Sequence, residues 1–174
     1  MSKQDLLKQQ INQQLSRLLK QLQDVEEDKE MLDSEEEYLE IKQETLNQLK
    51  EFQQSLEDII QNDNLLRNEI DSYRMAVRAA CLQAFKTPEI IKMFAEKNSE
   101  QCNKKLSELD ADFKLGRLSA EEYHNSKTEL LVALQKLGVK LDEQQTNFLK
   151  QNMSSALKVF IENDQTTLSS LIKK

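Results

Sequence analysis

An all-α protein is what this sequence predicts, and three observations carry the prediction. Two glycines and one proline in 174 residues are too few breakers for the short strands and tight turns of a β-rich fold. Charged residues make up 32% of the chain and aromatics 5%, the balance of long helices with solvated outer faces. Apolar residues also recur in steps of three and four along most of the length. Four segments follow: an acidic, leucine-zipper-like coiled-coil arm at 1–64, connecting helices at 65–114, a helical domain at 115–160 and a tail at 161–174.

The first helix is expected over 3–31, about 43 Å at about 1.5 Å per residue. Its stripe of Ile11, Leu15, Leu18, Leu22, Val25 and Leu32 follows a coiled-coil rhythm, interrupted at Lys29, with Leu7 and Leu19 broadening it. Near Leu32 the register breaks. Either Asp33 with Glu36 or Ser34 with Glu37 matches a capping box for the second helix, and Glu35, Glu36 and Glu37 suit its positive end. The stripe resumes as Tyr38, Ile41, Thr45, Leu49, Phe52, Leu56 and Ile59. A very short turn between two such helices predicts an antiparallel hairpin. Self-association with a second chain through a bent or continuous helix is the rival arrangement, and sequence admits both.

Polar residues 61–64 break the second helix. Leu65, Leu66, Ile70, Tyr73, Val77, Ala80, Cys81, Ala84 and Phe85 mark a third, expected to run to Lys86. Thr87-Pro88-Glu89 then supplies a capping hydroxyl, a proline at the first helical position and an acid in the first turn. A short helix of Ile90, Ile91, Met93, Phe94 and Ala95 follows, then one through Cys102, Leu106, Leu109 and Phe113 that stops at Gly116. Ser119 and Glu122 have capping-box spacing, with Leu118 placed to staple onto Tyr123. Leu130, Leu131, Leu134 and Leu137 carry that helix to a second stop at Gly138. Asp142 and Gln145 repeat the box before Phe148, Leu149, Met153, Leu157 and Phe160.

The formal charge of −7 is unevenly spread. Residues 1–62 hold 7 basic and 15 acidic side chains, and the remainder hold 17 and 16. No clustered basic face exists to neutralise phosphate, so nucleic acid is not an expected partner, and a basic protein groove suits the arm better. Cys81 and Cys102, with no apolar leader ahead of them, point to reduced thiols. No apolar run approaches a bilayer span, and the arm's acids oppose adsorption to anionic lipid, so no membrane partner is expected. A cytoplasmic protein, with access to the nucleus, is the expectation.

Catalytic apparatus is not predicted. The one histidine, His124, has no second histidine or cysteine at metal-ligand spacing. The acids at Glu26-Glu27-Asp28, Glu30 and Glu35-Glu36-Glu37 lie on exposed faces without the desolvation that tunes an acid or base. No glycine-rich loop cradles phosphate. The expectation is a non-enzyme with no metal and no cofactor.

Read together, Glu121-Glu122-Tyr123, Lys127, Leu130-Leu131, Leu134, Lys136-Leu137-Gly138, Leu141 and Phe148-Leu149 resemble the helical domain of the ICAT family of β-catenin-interacting proteins. The motif Ala84-Phe85-Lys86-Thr87-Pro88-Glu89-Ile90-Ile91 and the heptad N-terminus extend the likeness to proteins that join a leucine zipper to an ICAT domain. The resemblance implies a non-enzymatic regulator that binds the armadillo repeats of β-catenin through Tyr123, Lys127 and Leu130. Spacing alone favours the plainer reading, with Tyr123 stapling the helix, Leu130 in the core and Lys127 in solvent, and the resemblance sets the contact stripe beside it. The family's extended acidic tail has no clear counterpart in Thr166–Lys174, so the resemblance implies docking more than blockade of the armadillo groove. Without β-catenin binding, the alternative is a coiled-coil scaffold.

Overall fold

The computed structural model describes residues 2–63 and 66–163, and every regular element among them is helical. In chain order these are α1 (Lys3–Glu27), a single 3-10 turn (Lys29–Met31), α2 (Glu35–Asn62), α3 (Arg67–Cys81), α4 (Pro88–Ala95), α5 (Ser99–Lys114), α6 (Ala120–Lys136), α7 (Glu143–Asn152) and α8 (Ser155–Asn163). The fold is all-α, as predicted. Leu65, expected in the third helix, and tail residues 164–174 lie outside the described residues.

Helix α1 begins at a capping box in which the Ser2 hydroxyl accepts from the Asp5 amide and the Asp5 carboxylate accepts from the Ser2 amide. It ends one turn before the expected position. Its last turn has no basic residue, and Glu26 and Glu27 oppose the partial negative charge of its C-terminus. Leu32 is therefore not part of the helical stripe: it is extended and half-buried in the turn. Of the two candidate caps for α2, Ser34 is the one used, its hydroxyl accepting from the Glu37 amide. The Glu37 carboxylate reaches back to the Asp33 amide.

Within the chain, α1 folds back on α2 and also touches α3 and α4. Ile11, Leu15, Leu18 and Val25 are buried, and Leu22 is half-buried against the same core. Burying one such leucine stabilises the fold by about 1.5–3 kcal/mol, so the chain's own helices supply the surface that the stripe requires.

The third helix stops at Cys81, five residues before the expected Lys86. Gln83 adopts a left-handed φ of 57°, which lets the amides of Ala84 and Phe85 both reach the Ala79 carbonyl. Phe85 thereby enters the core, packing edge-on to Phe94 at 5.5 Å and tilted against Phe160 at 5.4 Å. The Thr87 hydroxyl does not cap α4, contrary to expectation. It donates instead to the Glu129 carboxylate at 3.4 Å, and the Lys86 and Thr87 amides donate to the same carboxylate at 2.9 and 3.1 Å. A buried acid on α6 thus holds the corner between α3 and α4.

Helix α4 is short and mostly apolar, with all of Ile90, Ile91, Met93, Phe94 and Ala95 buried and only Glu89 and Lys92 exposed. Such a helix is stable only when surrounded. It touches α1, α3, α5 and α6, and one contiguous hydrophobic cluster runs from Ile11 to Phe160.

Two glycines end helices as predicted. At Gly116, φ is 75°, and the Gly116 and Arg117 amides return to the carbonyls of Phe113 and Asp112. Gly138, with φ of 92°, repeats the arrangement after α6. Both are Schellman closures that need a left-handed residue. Asp142 and Gln145 complete the capping box of α7. At Met153 the backbone turns extended, so the stripe from Phe148 to Phe160 is divided between α7 and α8.

Candidate functional site

The Schellman closure at Gly116 turns the chain back, so α6 returns along α5, while α7 packs on α6. Ser119 caps α6 by accepting from the Glu122 amide, which sets Tyr123 one turn into the helix. Lys127 lies one turn further, on the same face.

Tyr123 is buried, its ring stacked flat on Phe113 with centroids 4.2 Å apart and planes 10° from parallel. Its hydroxyl donates to Asp110 Oδ1 on α5. Lys127 Nζ donates to Tyr123 Oη at 2.8 Å and to Asp110 Oδ1 at 3.3 Å. The ammonium also stands 4.7 Å from the centre of the Phe148 ring and 5.1 Å from that of Tyr123. Burial lowers the tendency of Lys127 to hold its proton, but hydrogen bonding to Tyr123 and the charge of Asp110 outweigh it and push its pKa up. The Tyr123 phenol is pushed up as well, by burial and by its bond to Asp110. Both groups therefore stay protonated at neutral pH, and the cluster holds one carboxylate, one ammonium and a neutral phenol.

The three residues singled out by spacing do not form one exposed stripe. Tyr123 and Lys127 come together, but Leu130 is completely buried in the core. The physical reason is the return of α6 along α5: a residue seven positions beyond Tyr123 shares its face, and that face is covered. The surface beside the pair is built by residues that spacing along α6 did not reveal. Phe113 is 37% exposed at the end of α5. His124 and Phe148 are half-buried with their rings 5.5 Å apart. Asp110 and Phe113 come from α5; the i, i+3 relation of Asp110 to Phe113 before the glycine stop is the signal that could have drawn them in.

Among the described residues, no group of three or more His, Cys, Asp and Glu is arranged to hold a metal ion, and no helix is long and apolar enough to cross a membrane. Burial pushes the Cys81 and Cys102 thiols up to about 11, so neither carries thiolate at neutral pH.

Fold and face together give a helical unit with an aromatic surface beside an internally neutralised Tyr–Lys–Asp cluster. Residues 109–172 match the family described as Beta-catenin-interacting protein ICAT. The match begins inside α5, not at the Gly116 turn, and so takes in Asp110 and Phe113 with Tyr123 and Lys127. It also runs to residue 172, through most of the tail that sequence reading set apart from the family pattern. No solved structure matches the chain.

Proposed function

We propose that this protein is a non-enzymatic regulator that docks on the armadillo repeats of β-catenin through the face formed by α5, α6 and α7, and that it modulates β-catenin signalling. The observation that carries the reading is the coincidence of the ICAT match over 109–172 with the surface around Tyr123 and Lys127. Phe113 offers apolar area to a partner, and His124 and Phe148 continue it. Tyr123 and Lys127 hold this face in shape and present the edge of a protonated amine, while Leu130 supports them from the core. Removing exposed apolar area from water is the main driving force for such contacts, and aromatic side chains contribute most per residue.

Titration calorimetry of the full chain against the β-catenin armadillo repeats tests the proposal. Saturable binding is expected, weakened at least about tenfold by His124→Glu, roughly 1.4 kcal/mol. His124 is half-buried on this face, so circular dichroism checks that the variant keeps native helicity. No saturation by tens of micromolar, or affinity unchanged in His124→Glu, removes this docking mode.

A further inference from the structure

Away from the α5–α7 face, a cleft of about 490 Å3 opens between α1, α2 and the corner that joins α3 to α4. Leu22 and Leu46 line it from the hairpin, and Ala80, Phe85 and Pro88 from the corner. This is the volume of one or two bulky side chains, on an apolar floor inside an otherwise closely packed bundle.

Costly features hold the corner wall open. Gln83 keeps a left-handed backbone without being glycine, a conformation of limited population for such residues. Glu129 is a buried carboxylate whose three hydrogen bonds fix Lys86 and Thr87 from across the molecule. The Phe94 and Phe160 rings fix Phe85 from behind. The motif Phe85-Lys86-Thr87-Pro88 is thus built into a rigid wall, and the α5–α7 face does not use it.

Charge decides what the cleft takes. On the α1 wall, Gln23, Glu26 and Glu27 line the mouth. From there the chain enters residues 24–40, which hold ten acids and one base against a net charge of −7 for the whole chain. Within the lining itself Lys42, bound to Glu26 at 3.1 Å and to Tyr38, and Lys86 balance Glu26 and Glu27, so the excess acid lies on the adjoining turn. Lys86 is the other lysine of the lining and sits on the corner wall. The same acidic end exposes apolar side chains, with Met31 84% and Leu39 54% accessible. An apolar socket whose α1 and α2 walls lead along the chain into an acidic turn with exposed apolar side chains is complementary to an amphipathic segment that is basic.

We propose that this cleft receives a basic amphipathic segment of a partner protein, with an apolar side chain seated between Leu22 and Phe85 and lysine or arginine side chains lying on the acidic end of the α1–α2 hairpin. The socket supplies selectivity for the apolar anchor, and the acids supply attraction that falls with salt. It is a second interaction surface, independent of the armadillo-docking face.

The test uses the full chain and a fluorescein-labelled helical peptide of leucine and lysine in amphipathic pattern, read by anisotropy. Two control peptides carry glutamate for lysine or alanine for leucine. Saturable binding of the leucine and lysine peptide is expected at about 10–100 μM, the range of a modest groove contact. Both controls, and the exposed-site double variant Gln23→Lys with Glu27→Lys, are expected to bind at least tenfold more weakly. Amide shifts on binding should centre on Leu22, Leu46 and Phe85. Leu22→Lys, checked for native helicity by circular dichroism, should bind at least tenfold more weakly as well. Equal binding of the alanine peptide would reduce the site to unspecific acid attraction and overturn the proposal, as would shifts confined to the α5–α7 face. A dimer in sedimentation that Gln23→Lys with Glu27→Lys dissolves would assign the cleft to a second copy and overturn it too.

Discussion

Tyr38, one turn into α2, donates its hydroxyl to Glu26 near the end of α1 at 2.6 Å, and Lys42 completes the group by bonding both. Tyr123, Asp110 and Lys127 make the same three-way contact between α5 and α6. Each tyrosine stands four residues after a capping serine, Ser34 or Ser119, and each lysine four residues after the tyrosine. The two hairpins thus close their turns with one device: a cap sets the helix start, and the tyrosine ties it to a carboxylate on the incoming helix.

Tyr38→Phe should cost about 1 kcal/mol in urea unfolding at neutral pH, the net worth of one hydrogen bond. Burial raises the Glu26 pKa, but the bonds from Tyr38 and Lys42 outweigh it and hold the group below its usual value of 4.5. A depressed carboxyl stabilises the fold above its unfolded pKa and loses that contribution as pH falls through the folded one. In Tyr38→Phe the Glu26 carboxyl should titrate at higher pH by NMR, and an unchanged titration would show that the hydroxyl does not set it.

Glu129 behaves in the opposite sense. Burial pushes its pKa up, partly offset by the amides of Thr87 and Lys86. A carboxyl whose folded pKa is raised contributes most below its unfolded value of 4.5, and the contribution declines as pH rises through the folded pKa. Glu129→Gln keeps an acceptor for both amides and removes that decline, so the variant should gain on the wild type between acid and neutral pH. Glu129→Ala strands two amides and should lose about 1–3 kcal/mol. Denaturant midpoints across pH measure both.

Leu15 is wholly buried, whereas Leu6 on the same helix is half exposed. Leu15→Ala should destabilise by about 2–5 kcal/mol and Leu6→Ala by less than about 0.5 kcal/mol. Because α1 packs on its own chain, the loss in Leu15→Ala should not vary with protein concentration. A melting temperature that climbs steadily with concentration would place the stripe between chains.

Both thiols titrate at about 11 because burial disfavours the thiolate. Reaction with a disulfide reagent at pH 8 should be slow in the native protein and fast in urea. Cys102, wholly buried, should react after the half-buried Cys81. Equal native rates would mean that α5 opens as readily as the end of α3.

Helix starts and stops were legible in the sequence where a local cap marks them, because caps are local chemistry. Ser34, Ser119, Asp142, Gly116 and Gly138 each act through bonds spanning four to six residues, so short strings are enough to find them. The all-α class follows from the same strings and the three- and four-residue period. Distant partners were not legible. Nothing near Thr87 in the chain announces Glu129, which redirects its hydroxyl from capping to a tertiary bond, and nothing near Gln83 announces that the third helix ends early to bury Phe85. Tyr123, Lys127 and Leu130 share a face by sequence, but only the return of α6 along α5 decided that the face points inward, which left Phe113, His124 and Phe148 partly exposed beside it. Periodicity assigns residues to a side of a helix, whereas what lies against that side depends on contacts far apart in the chain.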